Sequence, residues 1–229
     1  LHELLQDDPD LRGPFLFERH RWGRPRHWGE MLRSIRSLRR NRFDCVLDLQ
    51  GLARSGCVAW LAAPRLSIGV EDWREGAPGF YDTVVPRPSR LTHAVDWYLE
   101  ALKKLAVPID RPFTWIPERP AAAQAVGLKW KPGSNPWLAV IPGARWTNKR
   151  WPLDSYEAVL RQLATHQPLL HFVILGGSAD RALGARLIQV CPNRSLDLTG
   201  RTSLGELVEW IRLCRAVLSN DTGPMHIAA

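Results

Sequence analysis

Along most of the chain, short apolar runs alternate with longer stretches in which apolar residues recur at helical spacing. Runs rich in Val, Leu and Ile predict buried strands, and apolar residues at i, i+3, i+4 and i+7 predict amphipathic helices. The first 27 residues show neither pattern and are expected to form a basic loop. The next elements alternate regularly: helix 28–40, strand 43–50, helix 52–63, strands 66–70 and 81–85, helix 92–105. This alternation indicates a parallel sheet covered by helices on both faces.

A proline-rich segment separates this array from a second one. Residues 108–136 hold six prolines and one short helical stretch near 121–130. Beyond it the pattern predicts strands over 137–141, 170–175, 196–198 and 216–219 and helices over 154–165, 179–190 and 204–213. Asp154 with Glu157, and Ser203 with Glu206, have the spacing of capping boxes at two helix starts. We therefore predict an incomplete N-terminal domain over 1–117, a linker over 118–136 and a truncated C-terminal domain over 137–229.

Composition excludes several classes of protein. The chain is 45% hydrophobic and 24% charged, as ordinary globular proteins are. No apolar run approaches the roughly 20 residues of a membrane-spanning helix, so no transmembrane segment is expected. The four cysteines, Cys45, Cys57, Cys191 and Cys214, are widely separated and are expected to be free thiols. No motif suggests a metal site or a cofactor. The chain starts at Leu1 and stops at Ala229 in a predicted helix, so we expect an internal fragment.

The chemistry with the strongest signal lies at the end of the chain. Asn220-Asp-Thr-Gly-Pro-Met-His226 follows a strand and opens a helix. Ligands of open α/β sheets bind beyond the carboxyl ends of strands, and amides at a helix start attract phosphate. Gly223 would let the ligand come close to the backbone, and Thr222 would offer a hydroxyl. Asp221 and His226 would lie on either side of the pocket as polar groups. Alternatively, Asp221 or Thr222 is a simple helix cap.

Two other loops follow strands of the same half. The segment 142–152 concentrates three cations that could offset charge on a departing diphosphate: Arg145, Lys149 and Arg150. The alternative is a solvated loop anchored in the core by Trp146 and Trp151. In the segment 176–180, Asp180 could accept ribose hydroxyls or serve as a helix cap.

The first half contributes a polar strand end of its own. Asp48-Leu-Gln-Gly-Leu-Ala-Arg-Ser55 closes a strand and opens a helix, and it places Gln50 and Arg54 where a polar acceptor could bind. Arg74 adds another cation. Neither G-x-G-x-x-G nor G-x-x-x-x-G-K-[ST] occurs in the chain, which argues against a common dinucleotide dehydrogenase and a P-loop phosphotransferase.

Together these motifs resemble the bacterial ADP-heptose:lipopolysaccharide heptosyltransferases of glycosyltransferase family 9. The resemblance rests on Asp48-Leu-Gln-Gly-Leu-x-Arg-Ser, Arg74-Glu75, His93-Ala-Val, Pro142-Gly-Ala-Arg-x-x-x-Lys-Arg-Trp-Pro and Asn220-Asp-Thr-Gly-Pro-Met-His. It implies a GT-B α/β architecture, in which two Rossmann-like domains with parallel sheets face a cleft. It also implies transfer of heptose from an ADP-heptose donor, with inversion and without a metal, to the lipid A-core acceptor at the inner leaflet. The enzyme would be cytoplasmic and peripheral at the inner face of the inner membrane.

The resemblance assigns roles residue by residue. Lys149 would stabilise the leaving diphosphate. The donor would contact five residues of the C-terminal domain: Asp180, Asp221, Thr222, Gly223 and His226. Arg54 and Arg74 would face the acceptor. The family's base, an aspartate in an N-terminal segment, has no counterpart in this chain, so the fragment alone is expected to be inactive.

Two other functions compete with this interpretation. A net charge of +8, with 26 arginines among 31 basic residues, suits phosphate groups in general. A basic nucleic-acid-binding module is therefore one alternative, although no nucleic-acid-binding motif is present and no nucleic acid partner is expected. Another nucleotide-binding Rossmann-like enzyme is the second.

Overall fold

The computed structural model describes residues 2–5, 8, 10–13, 15, 17, 19–72, 75–109 and 116–229. The chain divides into two compact units. The first unit is Phe15–Thr114, and the second comprises Leu1–Pro14 with Trp115–Ala229. Functional domain boundaries at residues 117 and 137, with a linker between them, stay a prediction.

The first unit is built on a three-stranded parallel sheet in the order β1-β2-β3. Its strands are β1 (Cys45–Asp48), β2 (Leu66–Val70) and β3 (Thr83–Val85), with a 3-10 helix at Ala77–Phe80. Its helices are α2 (Arg19–Trp22), α3 (Trp28–Arg40), α4 (Ala53–Leu61) and α5 (Ala94–Lys104). One core cluster joins Ile68 and Val70 of β2 to Trp97 of α5. The Trp97 Nε1–H donates to the Val85 carbonyl at 3.0 Å, which fixes α5 on the sheet.

The second unit contains a four-stranded parallel sheet in the order β6-β5-β4-β7. Its strands are β4 (Trp137–Ile141), β5 (His171–Ile174), β6 (Ser195–Asp197) and β7 (Ala216–Ser219). Its helices are α1 (His2–Leu5), α6 (Pro120–Trp130), α7 (Leu153–His166), α8 (Arg181–Leu187), α9 (Leu204–Leu213) and α10 (Gly223–Ala228). In sequence order within this unit the strands lie 3-2-1-4, the arrangement of a doubly wound fold.

Alternate residues of β4 pack into two separate cores, because successive side chains of a strand point to opposite faces. Ala139 and Ile141 join a cluster with Trp210 of α9, and Leu138 and Val140 join a cluster with Leu160 of α7. Helices therefore cover both faces of this sheet, as the sequence predicts. The helix α6, which falls within the predicted linker, contributes the fully buried Val126 to the first of these cores.

Some local predictions are confirmed and others are wrong. The Ser203–Glu206 capping box is present: Ser203 Oγ accepts from the Glu206 amide at 3.2 Å, and Glu206 Oε2 accepts from the Ser203 amide at 2.8 Å. The Asp154–Glu157 box is absent, because α7 begins one residue earlier, after Pro152. Both of these carboxylates bind Arg186 instead.

The prediction of an irregular loop over the first 27 residues is also wrong in part. Four residues form α2, and its Trp22 is buried against the rings of Phe15 and Phe17. Leu4 of α1 is buried with Ile116 and Val208. These contacts join residues without periodic spacing, so the pattern of the segment does not reveal them. Among the described residues, no helix combines the length and apolar character that a membrane span requires.

Candidate functional site

A pocket of about 710 Å³ lies at the carboxyl edge of the second sheet. The loops that follow β4, β5 and β7 all reach this edge because the strands are parallel. The strand order reverses between β4 and β7, and the loops after these two strands supply most of the polar lining. Ligands of doubly wound sheets bind at such a reversal point. The pocket thus lies where ligands bind in proteins of this fold.

Five of the predicted site residues line this one pocket: Lys149, Asp180, Asp221, Thr222 and Gly223. The Lys149 ammonium donates to Asp221 Oδ2 at 2.6 Å, across 72 residues of sequence. His226 is exposed, and its Nε2 is 3.8 Å from Asp221 Oδ1. The hydrogen bond from Lys149, and then its charge, lower the pKa of the Asp221 carboxyl. A lysine, a carboxylate and an imidazole therefore lie together, and the first two of them line the pocket.

Asn220 holds two of the pocket loops together, a role that the sequence did not reveal. Its side chain is buried, its Nδ2 donates to the Pro142 carbonyl at 2.8 Å, and its Oδ1 accepts from the Trp151 amide at 2.9 Å. These bonds tie both ends of the loop with Lys149 to the end of β7. The position of Asn220, directly before Asp221, is the only signal in the sequence that could have indicated this role.

Asp180 is packed tightly against glycines of two pocket loops. Its Oδ2 accepts from the Gly177 amide at 2.9 Å, three residues back along the chain. Asp180 occupies the N-cap position of α8 but makes no capping bond to that helix, so the predicted helix cap is absent. A Cβ built on Gly143 would lie 2.4 Å from Asp180 Oδ1, and one on Gly176 would lie 2.8 Å from Oδ2. Glycine at these positions thus lets a carboxylate lie between the loops after β4 and β5. The bond from Gly177 uses one carboxylate oxygen, and Asp180 also lines the pocket.

The residues at the start of α10 do not form a conventional cap. Thr222 occupies the N-cap position, but its hydroxyl donates to the Asn220 carbonyl at 3.3 Å and makes no capping bond to the helix. A Cβ on Gly223 would meet no atom within 4 Å. Local packing therefore does not require glycine at this position. Because α10 has only six residues, we expect cationic side chains to dominate the electrostatics of the pocket.

The cations of the loop after β4 differ in how freely they can move. Arg150 Nε donates to the Ala144 carbonyl at 2.9 Å, which holds that side chain against its own loop. The Arg145 guanidinium lies 5.4 Å from the ring centre of Trp146, a tryptophan that is 60% exposed. Trp146 is therefore not a core anchor, and Trp151 is also exposed, with its ring edge against Tyr156. The interpretation of this loop as a segment anchored by two buried tryptophans is wrong.

The predicted acceptor residues belong to the first unit. Arg54 is exposed and lines an apolar groove of about 440 Å³ beside β1, together with Asp48 and Gln50. Asp48 organises this strand end: it accepts from the amides of Gln50 and Gly51 at 2.9 and 3.3 Å and from the Tyr81 hydroxyl at 2.6 Å. Arg74 lies outside the described residues. Within the part of the chain that the structure describes, no three His, Cys, Asp or Glu side chains are grouped as a metal site would require.

A protein-family model covers most of the chain. The model for glycosyltransferase family 9 (heptosyltransferase) matches residues 31–229. The chain belongs to glycosyltransferase family 9. This membership does not favour a nucleic-acid-binding module, and it agrees with the motifs that the sequence shares with the family.

Individual relatives point the same way. The family 9 chain is 38% identical over 103 residues to lipooligosaccharide heptosyltransferase 2 of Haemophilus influenzae, covering 42% of this chain and 29% of that protein. It is 23% identical over 205 residues to the lipopolysaccharide core heptosyltransferase OpsX of the same organism, covering 88% of this chain and 58% of OpsX. The chain thus spans at most about three fifths of these two curated relatives.

The fold is shared with solved structures of the family. The family 9 chain aligns with the E. coli heptosyltransferase WaaC with ADP at a TM-score of 0.77 and 20% identity, covering 99% of this chain and 71% of that one. It aligns with E. coli ADP-heptose lps heptosyltransferase II at a TM-score of 0.69 and 22% identity, covering 88% and 64% of the two chains. The predicted GT-B type of α/β fold, with parallel sheets, is confirmed by these likenesses.

Proposed function

We propose that this chain supplies the donor-binding unit and part of the acceptor-binding unit of an inverting heptosyltransferase that uses ADP-heptose. The observation that carries the proposal is the convergence of Lys149, Asp180, Asp221, Thr222 and Gly223 on one pocket at the reversal point of the second sheet. These residues come from three loops that are distant in sequence. The family match and the ADP and ADP-heptose named for the solved relatives support the choice of donor.

In this proposal the pocket binds the donor through three kinds of contact. Lys149 donates to the diphosphate, and its charge counts most as the glycosidic bond breaks and negative charge grows on the departing ADP. Asp180 accepts hydrogen bonds from the ribose hydroxyls with Oδ1, the oxygen that does not accept from the Gly177 amide. Thr222 and Gly223 lie beside the diphosphate of the donor, and Asp221 and His226 contact its heptose. No metal is needed, since ammonium and guanidinium groups supply the positive charge.

The acceptor is the phosphorylated core of lipid A, and Arg54 and Arg74 bind its anionic groups. Guanidinium groups suit this task because their planar fork matches phosphate oxygens. The family's base aspartate is expected outside the motifs present here. Because the acceptor is lipid-linked, we place the enzyme on the cytoplasmic side as a peripheral protein at the inner membrane.

Calorimetric titration of the chain with ADP, UDP and GDP tests the donor assignment. We expect saturable binding of ADP that is tighter than binding of UDP or GDP, and we expect Lys149→Ala to weaken it. Arg161→Ala is a matched control, because it also removes one positive charge from the second unit but lies on α7, outside the pocket. Tighter binding of UDP, or ADP binding that is equal in Lys149→Ala and wild type, contradicts the proposal.

A further inference from the structure

A second concentration of positive charge lies in the first unit, on residues that belong to none of the motifs discussed above. Between Arg33 and Arg42 the chain carries five arginines and no acidic residue. All five are exposed, and four of them belong to the 13-residue helix α3. Half-buried side chains of the same helix, among them Ile35 and Leu38, attach α3 to its unit. The helix is therefore a basic amphipathic helix whose outer face is open.

Five arginines form a shallow basin at the C-terminal end of α3. The basin measures about 680 Å³ and is lined by Arg36, Arg39, Arg40, Arg42 and Arg65, with Phe43 and Ala63. Arg65 pairs with the exposed Asp44 at 3.2 Å. Within the described residues, the other four arginines have no carboxylate within ion-pair distance. The basin thus carries an uncompensated positive charge.

The fold itself accounts for only part of this charge. Cations in the last turn of a helix are favoured by the negative end of its dipole, which explains Arg39 and Arg40. Arg36 lies a turn earlier, Arg42 lies in the turn after the helix, and Arg65 lies directly before β2. Like charges that line one concavity repel each other in the free protein. A bound anion offsets that repulsion, so the basin suits a ligand with several negative charges.

Exposed apolar side chains continue the basic surface along the helix. Trp28 and Leu32 are 54% and 50% exposed and stand at i and i+4. Arg36 and Arg39 follow on the same face at helical spacing. A helix that presents tryptophan, leucine and arginine together is typical of segments that lie in the interface of a bilayer. A nucleic-acid groove offers phosphates but no apolar layer for Leu32.

We propose that the basin and the outer face of α3 form a docking surface for an anionic lipid bilayer. The guanidinium groups contact lipid phosphates, and Trp28 and Leu32 lie at the level of the headgroups. The inference rests on the proposed function in one respect: a lipid-linked acceptor brings the enzyme to such a surface. It adds to that function the part of the protein that contacts the membrane.

Sedimentation of the full chain with lipid vesicles tests the surface. We expect binding to vesicles of mixed phosphatidylglycerol and phosphatidylcholine, and little binding to phosphatidylcholine alone. Each arginine near an anionic surface contributes about 1 kcal/mol, roughly a fivefold change in partitioning. The variant Arg36→Gln/Arg39→Gln/Arg40→Gln should therefore partition about 100-fold less. Glutamine keeps the helix propensity of arginine, so α3 should persist.

A charge-matched control separates this surface from net charge. Arg90→Gln/Lys104→Gln/Lys131→Gln removes the same charge from exposed positions outside the basin and should bind nearly as wild type does. Circular dichroism melting checks that every variant folds. Equal loss of binding in the two triple variants overturns the proposal.

The apolar contribution is tested at high salt, which screens the arginines. We expect Trp28→Ala/Leu32→Ala to lower the residual vesicle binding, and Leu91→Ala/Leu128→Ala, also at exposed positions, to leave it unchanged. Stronger binding to random duplex DNA than to vesicles, with no effect of Trp28→Ala/Leu32→Ala, would identify a nucleic-acid surface instead. ADP titration of the same samples keeps the two proposals apart. Vesicle binding without ADP binding rejects only the donor function, and ADP binding without vesicle binding rejects only the docking surface.

Discussion

The Lys149 ammonium and the Asp221 carboxylate are 2.6 Å apart, although each comes from a different loop of the second unit. Both side chains are about half exposed, so their ion pair contributes little to stability. An ammonium group has three N–H donors, and Asp221 uses one of them. The pair therefore aims Lys149 into the pocket and leaves donors free for a diphosphate.

Replacing this lysine should affect turnover more than donor binding. Lys149→Ala removes a charge that is most valuable in the transition state, and losing one such contact lowers the rate about 10²–10³-fold. Heptose transfer is measured with an enzyme that also carries the family's base, and ADP affinity is measured in parallel. Lys149→Arg is the matched control and should retain part of the rate. An unchanged rate in Lys149→Ala would make this lysine an ordinary surface residue.

The same pair predicts a pH dependence. Since Lys149 lowers the pKa of Asp221, the carboxylate stays charged and paired until the pH falls through that lowered pKa. In Lys149→Ala the pKa of Asp221 should rise toward the ordinary value of about 3.9. Carboxyl chemical shifts followed by NMR during an acid titration report both midpoints. Identical midpoints would show that the two side chains do not pair in solution.

Substitution of Gly223 tests whether the start of α10 binds the diphosphate or has only a structural role. A Cβ there meets no atom, so Gly223→Val should leave the melting temperature nearly unchanged. If the diphosphate approaches this backbone, the same change should lower ADP affinity at least about tenfold, or 1.4 kcal/mol. Thr222→Ala is measured alongside Gly223→Val, because the Thr222 hydroxyl makes no capping bond to α10. A lower melting temperature with full ADP affinity would favour the helix-cap interpretation.

Gly143 and Asp180 should behave as a coupled pair. Gly143→Ala places a Cβ 2.4 Å from the Asp180 carboxylate, and overpacking of this kind costs about 1–3 kcal/mol in stability. In Gly143→Ala/Asp180→Ala the clash is absent, so the two losses should not add. Urea unfolding of the two single variants and the double variant measures this coupling. Additive losses would mean that the side chains move apart freely.

Tyr81 offers a test of the first unit. Tyr81→Phe deletes the 2.6 Å hydrogen bond to buried Asp48, and bonds to charged groups are worth about 1.5–3 kcal/mol. Burial, and then the bond to Asp48, raise the pKa of Tyr81. The stabilisation by this bond is therefore complete at pH values below about 10, the pKa of tyrosine in the unfolded chain. It is lost as the pH rises from there through the raised pKa of the folded protein. Denaturant unfolding at neutral and alkaline pH measures the free energy of unfolding. It should fall less between the two pH values in Tyr81→Phe than in the wild type, because the variant has no Tyr81 hydroxyl to ionise.

The type and approximate position of most elements follow from the pattern of apolar residues along the chain. Strands 66–70, 137–141 and 216–219 and helix 204–213 have the predicted bounds, because their apolar spacing matches how each is buried. The loops with site chemistry could also be found, since the fold class places ligands where strands end. Of the two predicted capping boxes, Ser203 with Glu206 is present and Asp154 with Glu157 is absent.

The contacts between loops of the candidate site depend on tertiary packing, which the spacing of residues along the chain does not encode. The order 3-2-1-4 of the second sheet brings β7 beside β4, and only this neighbourhood puts Asp221 next to Lys149 across 72 residues. The clamp of Asn220 on Pro142 and the fit of Asp180 against Gly143 depend on the same neighbourhood. The arginine basin likewise needs the turn after α3 to meet the segment directly before β2. The periodicity of apolar residues indicates which face of an element is buried. The order of the strands determines which loops meet, and this order is fixed by packing between residues that are distant in sequence.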